Sequence, residues 1–329
     1  MLNKKGFAFS TMLYGVLSLI MIVLLLLFGV LQSSDQESEY YTSVIEKNMN
    51  KCVNEEIALE NCYTLGTSFC NTASYYSCLG IVKNGEVNAV RLSEFLKDKV
   101  VTSGNGLYKD DAGEMIYKGT EVNNYISFSG DVWRIIKLEA DGSIKLAYPR
   151  YNKELSWDND GSTEWSLSSL NNELNKNFYP KLQNTNVIDT RNWKIGRIFN
   201  VAQTKEDLKE YESKAYFGIA DNASSLVGLP NTSDYISASN DDLCQSDVLN
   251  SKNCSSWLKD LPSWTINAAS TLDGDVAVYY FENDSTGTKL NKKSPSEKFS
   301  VVPVIYLKSS TKIIGGDGSS SNPFILERW

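Results

Sequence analysis

Residues 124–147 read NYISFSGDVWRIIKLEADGSIKLA, and this run decides how the larger part of the chain is built. Tyr125-Ile126-Ser127-Phe128 leads into Trp133-Arg134-Ile135-Ile136-Lys137-Leu138. The turn Ala140-Asp141-Gly142-Ser143 follows, and then Ile144-Lys145-Leu146-Ala147. Asp-Gly between two runs rich in β-branched and aromatic residues is a strong short-range hairpin signal. Strands, rather than helices, therefore organise this region.

Working outward, Leu92 to Val101 predicts a short helix upstream. Downstream, WSLSSLNNELNKNFYPKL places Leu167, Leu170, Leu174 and Phe178 on one helical face, with Ser166 or Ser168 as the cap. The Asn- and Ser-rich stretch from Ile219 to Ser256 reads as extended loops. Two more strands are predicted around Trp264–Ala268 and Ala277–Phe281, joined at Asp273-Gly274-Asp275. The chain closes with Ser300–Leu307, a Gly315-Gly316-Asp317-Gly318 turn and Asn322–Leu326. Hairpins interrupted by helices and long loops predict an α+β head with a mixed or antiparallel sheet.

The N-terminal side has a different character. From Gly6 to Ser34 there is no charged residue. As a helix rising ~1.5 Å per residue, this run would cross the ~30 Å hydrocarbon core of a bilayer. Lys4 and Lys5 stand before it, and Asp35, Glu37 and Glu39 after it. The positive-inside rule then leaves the N-terminus in the cytoplasm and the rest outside. The apolar run is too long for a cleaved secretory signal, and Leu31-Gln32-Ser33 makes a poor cleavage site. Beyond it Tyr41, Val44, Ile45, Met49, Cys52, Val53 and Ile57 recur at helical spacing, extending the predicted helix outward. The expected organisation is a leader at 1–6, a transmembrane helix at 7–34 and an extracellular helical extension at 35–60. A disulfide-stapled connector at 61–116 and a head at 117–329 complete it.

Composition narrows the function classes. The net charge of −8 and a pI near 4.9 argue against nucleic acid as a partner. The absence of histidine removes Ser-His-Asp and Cys-His catalysis and the commonest transition-metal ligand. All six cysteines (Cys52, Cys62, Cys70, Cys78, Cys244 and Cys254) follow the apolar run, on the side where disulfides persist. Cys244 and Cys254 are expected to pair. The other four allow three connectivities, among which the sequence does not choose. Their spacings contain no C-x-x-C zinc knuckle.

Asp158-Asn159-Asp160-Gly161-Ser162 with Glu164 has the oxygen-ligand spacing of a calcium loop, with Asp158, Asp160 and Glu164 as the donors. A solvated Asx turn accounts for the same residues, and the full twelve-residue EF-hand pattern is missing. Trp157 and Trp165 flank that turn and are the aromatic candidates for stacking on a sugar, with burial in the core as the competing reading. Gly315-Gly316-Asp317-Gly318 lacks the Lys-Ser/Thr of a phosphate loop and reads as a tight turn. The sequons at Asn222, Asn231 and Asn253 arise by chance in such composition. No pair of carboxylates stands out among forty acids, and the chain is not expected to be an enzyme.

Two resemblances bear on function. Lys4-Lys5-Gly6-Phe7 followed by an apolar run resembles the prepilin leader of type IV pilins and pseudopilins. The resemblance implies cleavage by a prepilin peptidase between Gly6 and Phe7, methylation of the new N-terminal Phe7, and assembly with copies of itself or related pilins. Thr11 stands where such proteins usually carry a Glu, and the first proline of the chain is Pro149. A plain signal anchor in membrane lipid explains the same residues. The segments around Tyr125, Trp133-Arg134-Ile135-Ile136, the Trp165–Tyr179 stretch and the closing VVPVIYLK and GGDGSSSNPF look like an extracellular domain of Gram-positive surface proteins. That domain is similar to the C-type-lectin and formylglycine-generating-enzyme fold, and it implies a surface location. The expected function is a structural or adhesive subunit of a pilus-like filament. The alternative is an anchored binding module for a glycan or protein ligand.

Overall fold

The computed structural model describes residues 89–327, apart from short stretches within 200–203, 215–221, 242–253, 271–275 and 285–286. It also describes Met21 and the pairs 82–83 and 86–87. The chain divides into two compact units, Met1–Asn88 and Ala89–Trp329. In the first, Val82–Lys83 pairs antiparallel with Glu86–Val87. The segments expected to form a leader, a transmembrane helix and an extracellular helical extension, and Cys52, Cys62, Cys70 and Cys78, lie outside the described residues, Met21 excepted.

The second unit is built on an eleven-stranded sheet. In chain order its strands are β1 (Val90–Arg91), β2 (Gly106–Lys109), β3 (Met115–Lys118), β4 (Tyr125–Phe128), β5 (Asp131–Leu138) and β6 (Ile144–Ala147). The helix α1 (Leu92–Lys97) follows β1 directly. Later come β8 (Ile188–Asp189), β12 (Val227–Gly228), β17 (Val304–Leu307), β18 (Lys312–Gly315) and β19 (Phe324–Leu326). The spatial order β8-β17-β6-β5-β4-β19-β18-β1 is antiparallel except where β19 runs parallel to β4, Phe324 beside Ile126. The predicted hairpins of residues 125–147 are thus its centre. Ser129 and Gly130 make the two-residue β4–β5 turn with both φ positive, at 56° and 78°, the backbone twist that suits tight hairpins.

Between these strands run β7 (Glu154–Ser156), α2 (Ser169–Glu173), β9 (Arg191–Lys194), β10 (Ile198–Phe199), α3 (Lys205–Glu212), β11 (Asn222–Ser225) and α4 (Thr232–Ser237). A second sheet of four strands joins β10 to β13 (Ser263–Ser270), β14 (Val276–Asp284) and β15 (Gly287–Lys293). Last, β16 (Lys298–Ser300) pairs with β7. Trp133, Trp157, Trp193, Trp257 and Trp264 are almost wholly buried in the core.

This architecture corrects the α+β expectation. The described residues form a mostly β structure in which the longest helix, α3, has eight residues. Among the described residues no helix is long and apolar enough to cross a membrane, so the long N-terminal helix of that expectation is not seen among them. The physical reason lies in segments without strong periodicity. The loop expected over 219–256 contributes β11, β12 and the buried α4. Strands of two to four residues leave no pattern to read. The helix expected at 165–182 breaks into a 3-10 turn at Trp165–Leu167, α2, a π turn at Leu174–Phe178 and a 3-10 turn at Tyr179–Lys181. Ser168 does cap α2 through the N–H of Asn171, but Leu167 is 75% exposed rather than on the packed face.

Candidate functional site

A cleft of about 330 Å³ opens where the β4–β5 turn, the segment after β6 and the irregular helical stretch converge. Its rings come from three places. Trp133 on β5 packs in a tilted pair with Tyr148 at 4.7 Å, Tyr148 sits 5.7 Å from Phe178, and Tyr151 meets Phe178 edge-on at 5.1 Å. Trp133 and Phe178 are buried, whereas Tyr148 and Tyr151 are partly exposed. The indole Nε1 of Trp133 is a buried donor with no hydrogen-bond partner among the described residues.

Two carboxylates border these rings in parallel arrangements. Asp131 accepts the Tyr148 phenol at 2.7 Å, the Arg150 guanidinium at 3.0 Å and the Val132 N–H at 2.8 Å. Glu173 accepts the Tyr151 phenol at 3.3 Å and the Lys153 ammonium at 3.1 Å, together with the Asn177 amide. Partial burial works against the charge on Asp131, but the Tyr148 and Val132 hydrogen bonds and Arg150 hold its carboxyl below the ordinary value. The Asn177 hydrogen bond, against some burial and with help from Lys153, does the same for Glu173. Burial and the hydrogen bond to Asp131 push the Tyr148 phenol up to about 12. Both acids are therefore ionised acceptors at neutral pH, and both phenols stay protonated. Lys181 adds a further cation at the edge. Ring faces beside oriented acceptors and donors form a surface that can bind a polar ligand with apolar patches.

The residues singled out in the sequence stand elsewhere. Trp157 and Trp165 pack against each other at 5.5 Å in the core, at 0% and 1% exposure. The Trp157 indole donates to the carbonyl of Thr265 at 3.0 Å. Neither ring is open to solvent. Asp158 is buried, its two oxygens accepting the N–H groups of Ser162 at 2.8 Å and Ser169 at 2.9 Å. Asp160 and Glu164 are exposed, and no group of three metal-ligating side chains occurs among the described residues. Asp158 thus serves as a brace between its own turn and α2. Cys244 and Cys254 form the expected disulfide, with Cα atoms 5.2 Å apart. Gly316 and Gly318, at φ 86° and 78°, make the tight turn between β18 and β19. Asn231, within one of the sequons, is buried.

The cleft residues Asp131, Tyr148, Tyr151, Glu173 and Phe178 carried one signal that was available. After β6, Tyr148-Pro149-Arg150-Tyr151-Asn152-Lys153 repeats an aromatic followed two residues later by a cation. Their acidic partners come from strand β5 and helix α2, and only the fold joins them. No family model, curated protein or solved structure matches the chain.

Proposed function

We propose that this chain is a cell-surface binding protein whose second unit takes a saccharide in the cleft bordered by Asp131, Tyr148, Tyr151 and Glu173. The observation that carries this is the pairing of exposed ring surface with two ionised, pre-oriented carboxylates. A pyranose has one apolar C–H face for a ring and hydroxyls at its edge for acceptors such as Asp131 and Glu173. The Asn177 amide and the cations Arg150, Lys153 and Lys181 supply donors. Hydrogen bonds already made within each carboxylate group lower the cost of ordering these side chains on binding. The apolar run over residues 7–34 supports display from a membrane, with the head outside. No catalytic constellation is invoked, and the role is binding.

The test is a glycan array probed with the full-length chain in detergent micelles. Saccharide binding that is lost in Tyr151→Ala and weakened at least tenfold in Glu173→Gln is the expected result. Binding to no saccharide, or binding unaffected by both substitutions, would sink the proposal.

A filament reading has its own observation, the Lys4-Lys5-Gly6-Phe7 leader. Under that reading the surface protein is processed and assembles with its own copies or with related pilins. Mass analysis of the N-terminal peptide from native membranes decides it. A chain starting at a methylated Phe7 supports assembly, and one retaining Met1 to Gly6 leaves an anchored binding module.

A further inference from the structure

Lys145 lies at the middle of the large sheet with its side chain wholly buried. Its Nζ sits 2.8 Å from Oδ1 of Asn231 and 2.6 Å from Oδ2 of Asp234. Asn231 is the cap of α4 and Asp234 lies in its first turn. The Asn231 carboxamide is fixed at its other end too, its Nδ2 donating to the carbonyl of Lys194 at 2.8 Å and to Oδ1 of Asn267 at 3.1 Å. Oδ2 of Asp234 also accepts the backbone N–H of Asn231 at 2.8 Å, so this carboxylate touches both the amine and the residue that carries the amide. The rings of Trp193 and Tyr306 stand 5.4 and 5.5 Å from Nζ. Asn231 and Asp234 are 5% and 3% exposed, which keeps bulk water away.

An ion pair alone would need only Lys145 and Asp234. The third member, a clamped carboxamide in contact with the amine, turns the cluster into a set of reactants. Burial lowers the Lys145 pKa, with the Asp234 charge working in the opposite direction, and so favours the neutral, nucleophilic amine. Held geometry of this kind replaces a bimolecular encounter. A carboxylate in contact can carry the protons, and the burial of all three side chains shields the site from competing hydrolysis.

We propose that Lys145 and Asn231 become joined by an intramolecular isopeptide bond, formed by the folded chain itself with Asp234 as proton carrier. Asp234 takes a proton from the Lys145 ammonium. The freed lone pair adds to Cγ of Asn231, forming the Nζ–Cγ bond and moving the carbonyl pair onto Oδ1. Asp234 hands its proton to Nδ2, which becomes a leaving group, and then takes the second proton from Nζ. The oxyanion pair returns, the Cγ–Nδ2 bond breaks, and the ammonia released takes that proton from Asp234 and departs as ammonium. One amide replaces another, and neither oxidant nor reductant is involved. The link ties β6 to the start of α4 across a sequence separation of 86 residues, fastening two halves of the unit covalently.

The experiment is intact-mass measurement of the denatured full-length chain, followed by peptide mapping. The expected result is a deficit of one ammonia, about 17 Da, and a branched peptide with Lys145 joined to Asn231. Lys145→Met and Asn231→Ala should both show the full mass, read after denaturation and so independent of their stability. Asp234→Asn, with folding checked by circular dichroism, should form the link about a hundredfold more slowly. A wild-type chain of full mass with linear peptides at both positions overturns the proposal. A deficit of about 18 Da with Lys145 joined to Asp234 overturns the choice of Asn231. An Asp234→Asn chain that links at the wild-type rate removes Asp234 as proton carrier.

Discussion

The carboxyl of Glu212 accepts both polar groups of Ser233, the N–H at 2.7 Å and the hydroxyl at 2.6 Å, and so locks the end of α3 onto the first turn of α4. Burial drives this carboxyl up to about 7; the Ser233 hydrogen bonds oppose the shift, Asp234 nearby adds to it and Lys145 works against it. Its folded value is raised above the ordinary 4.5, so the stability it contributes is fully present below about 4.5 and is lost as pH rises through 7. Glu114 has the opposite sign. Burial is outweighed by Lys137 and Lys209, its pKa falls to about 2, and its contribution is present above 4.5 and lost toward pH 2. The melting temperature should therefore peak near pH 4.5–5. Glu212→Gln should raise stability at pH 8 by about 2–3 kcal/mol and flatten the slope between pH 5 and 8. A wild-type melting temperature that is constant over that range would contradict this assignment.

The disulfide between Cys244 and Cys254 closes a short loop, at a sequence separation of 10, and both sulfur-bearing side chains are 2% exposed. Closing a loop of that length restricts the unfolded chain by about 2–3 kcal/mol in the entropic account. The double substitution Cys244→Ser and Cys254→Ser should cost at least that, since it also buries two hydroxyls. Urea denaturation of the two chains measures the difference. A loss below about 0.5 kcal/mol would show that the unfolded chain is already restricted there.

How much of this was legible in the sequence depends on where each residue's partner lies. The β4–β5–β6 meander was readable because the pairing is local: Trp133 faces Ile126 and Leu146 faces Ile135 a few residues across a turn. The α4 helix was not. Four polar residues, Thr232, Ser233, Asp234 and Ser237, are buried there beside Tyr235 and Ile236, and Asn231, Asp234, Ser233 and Thr232 find their partners in Lys145, Glu212 and Asn267. In sequence the same residues look like a solvated loop, and only distant partners offset the cost of burying them. The cleft failed to show for the same reason, since Tyr148 meets Asp131 and Tyr151 meets Glu173 only after the sheet has formed. Trp157 and Trp165 misled because a ring beside an acidic turn looks identical in sequence whether it faces inward or outward.

Gly196 marks a close approach that any side chain would disturb. Its N–H donates to the carbonyl of Glu212 at 2.9 Å. An added Cβ would fall on the carbonyl oxygen of Tyr211 and 2.7 Å from that of Glu212. These are backbone atoms at the end of α3 and cannot swing aside as a long side chain could. Gly196→Ala should therefore destabilise the protein by about 1–3 kcal/mol, as overpacking does, and loosen the Glu212–Ser233 contact. Denaturant titration gives the first quantity. Faster amide exchange at Ser233 reports the second, and wild-type values for both would refute the packing argument.

Tyr148→Phe separates the two things this residue does in the cleft. The ring stays, so its tilted contact with Trp133 at 4.7 Å and its approach to Phe178 at 5.7 Å should persist. The phenol's hydrogen bond to Asp131 goes, at a net cost of about 1 kcal/mol. That hydrogen bond comes first among the influences holding the Asp131 carboxyl down against its partial burial. Its loss should raise the Asp131 midpoint toward the ordinary carboxylate value. The part of the stability that disappears as pH falls through that midpoint should then disappear at a higher pH. Carboxyl-carbon NMR of Asp131 across an acid titration reads the shift directly. Arg150→Gln should move the same midpoint less, because Arg150 is 65% exposed and its charge is screened by solvent. An Asp131 midpoint that responds to Arg150→Gln but not to Tyr148→Phe would reverse the ranking and make this side of the cleft an ion pair with a ring nearby.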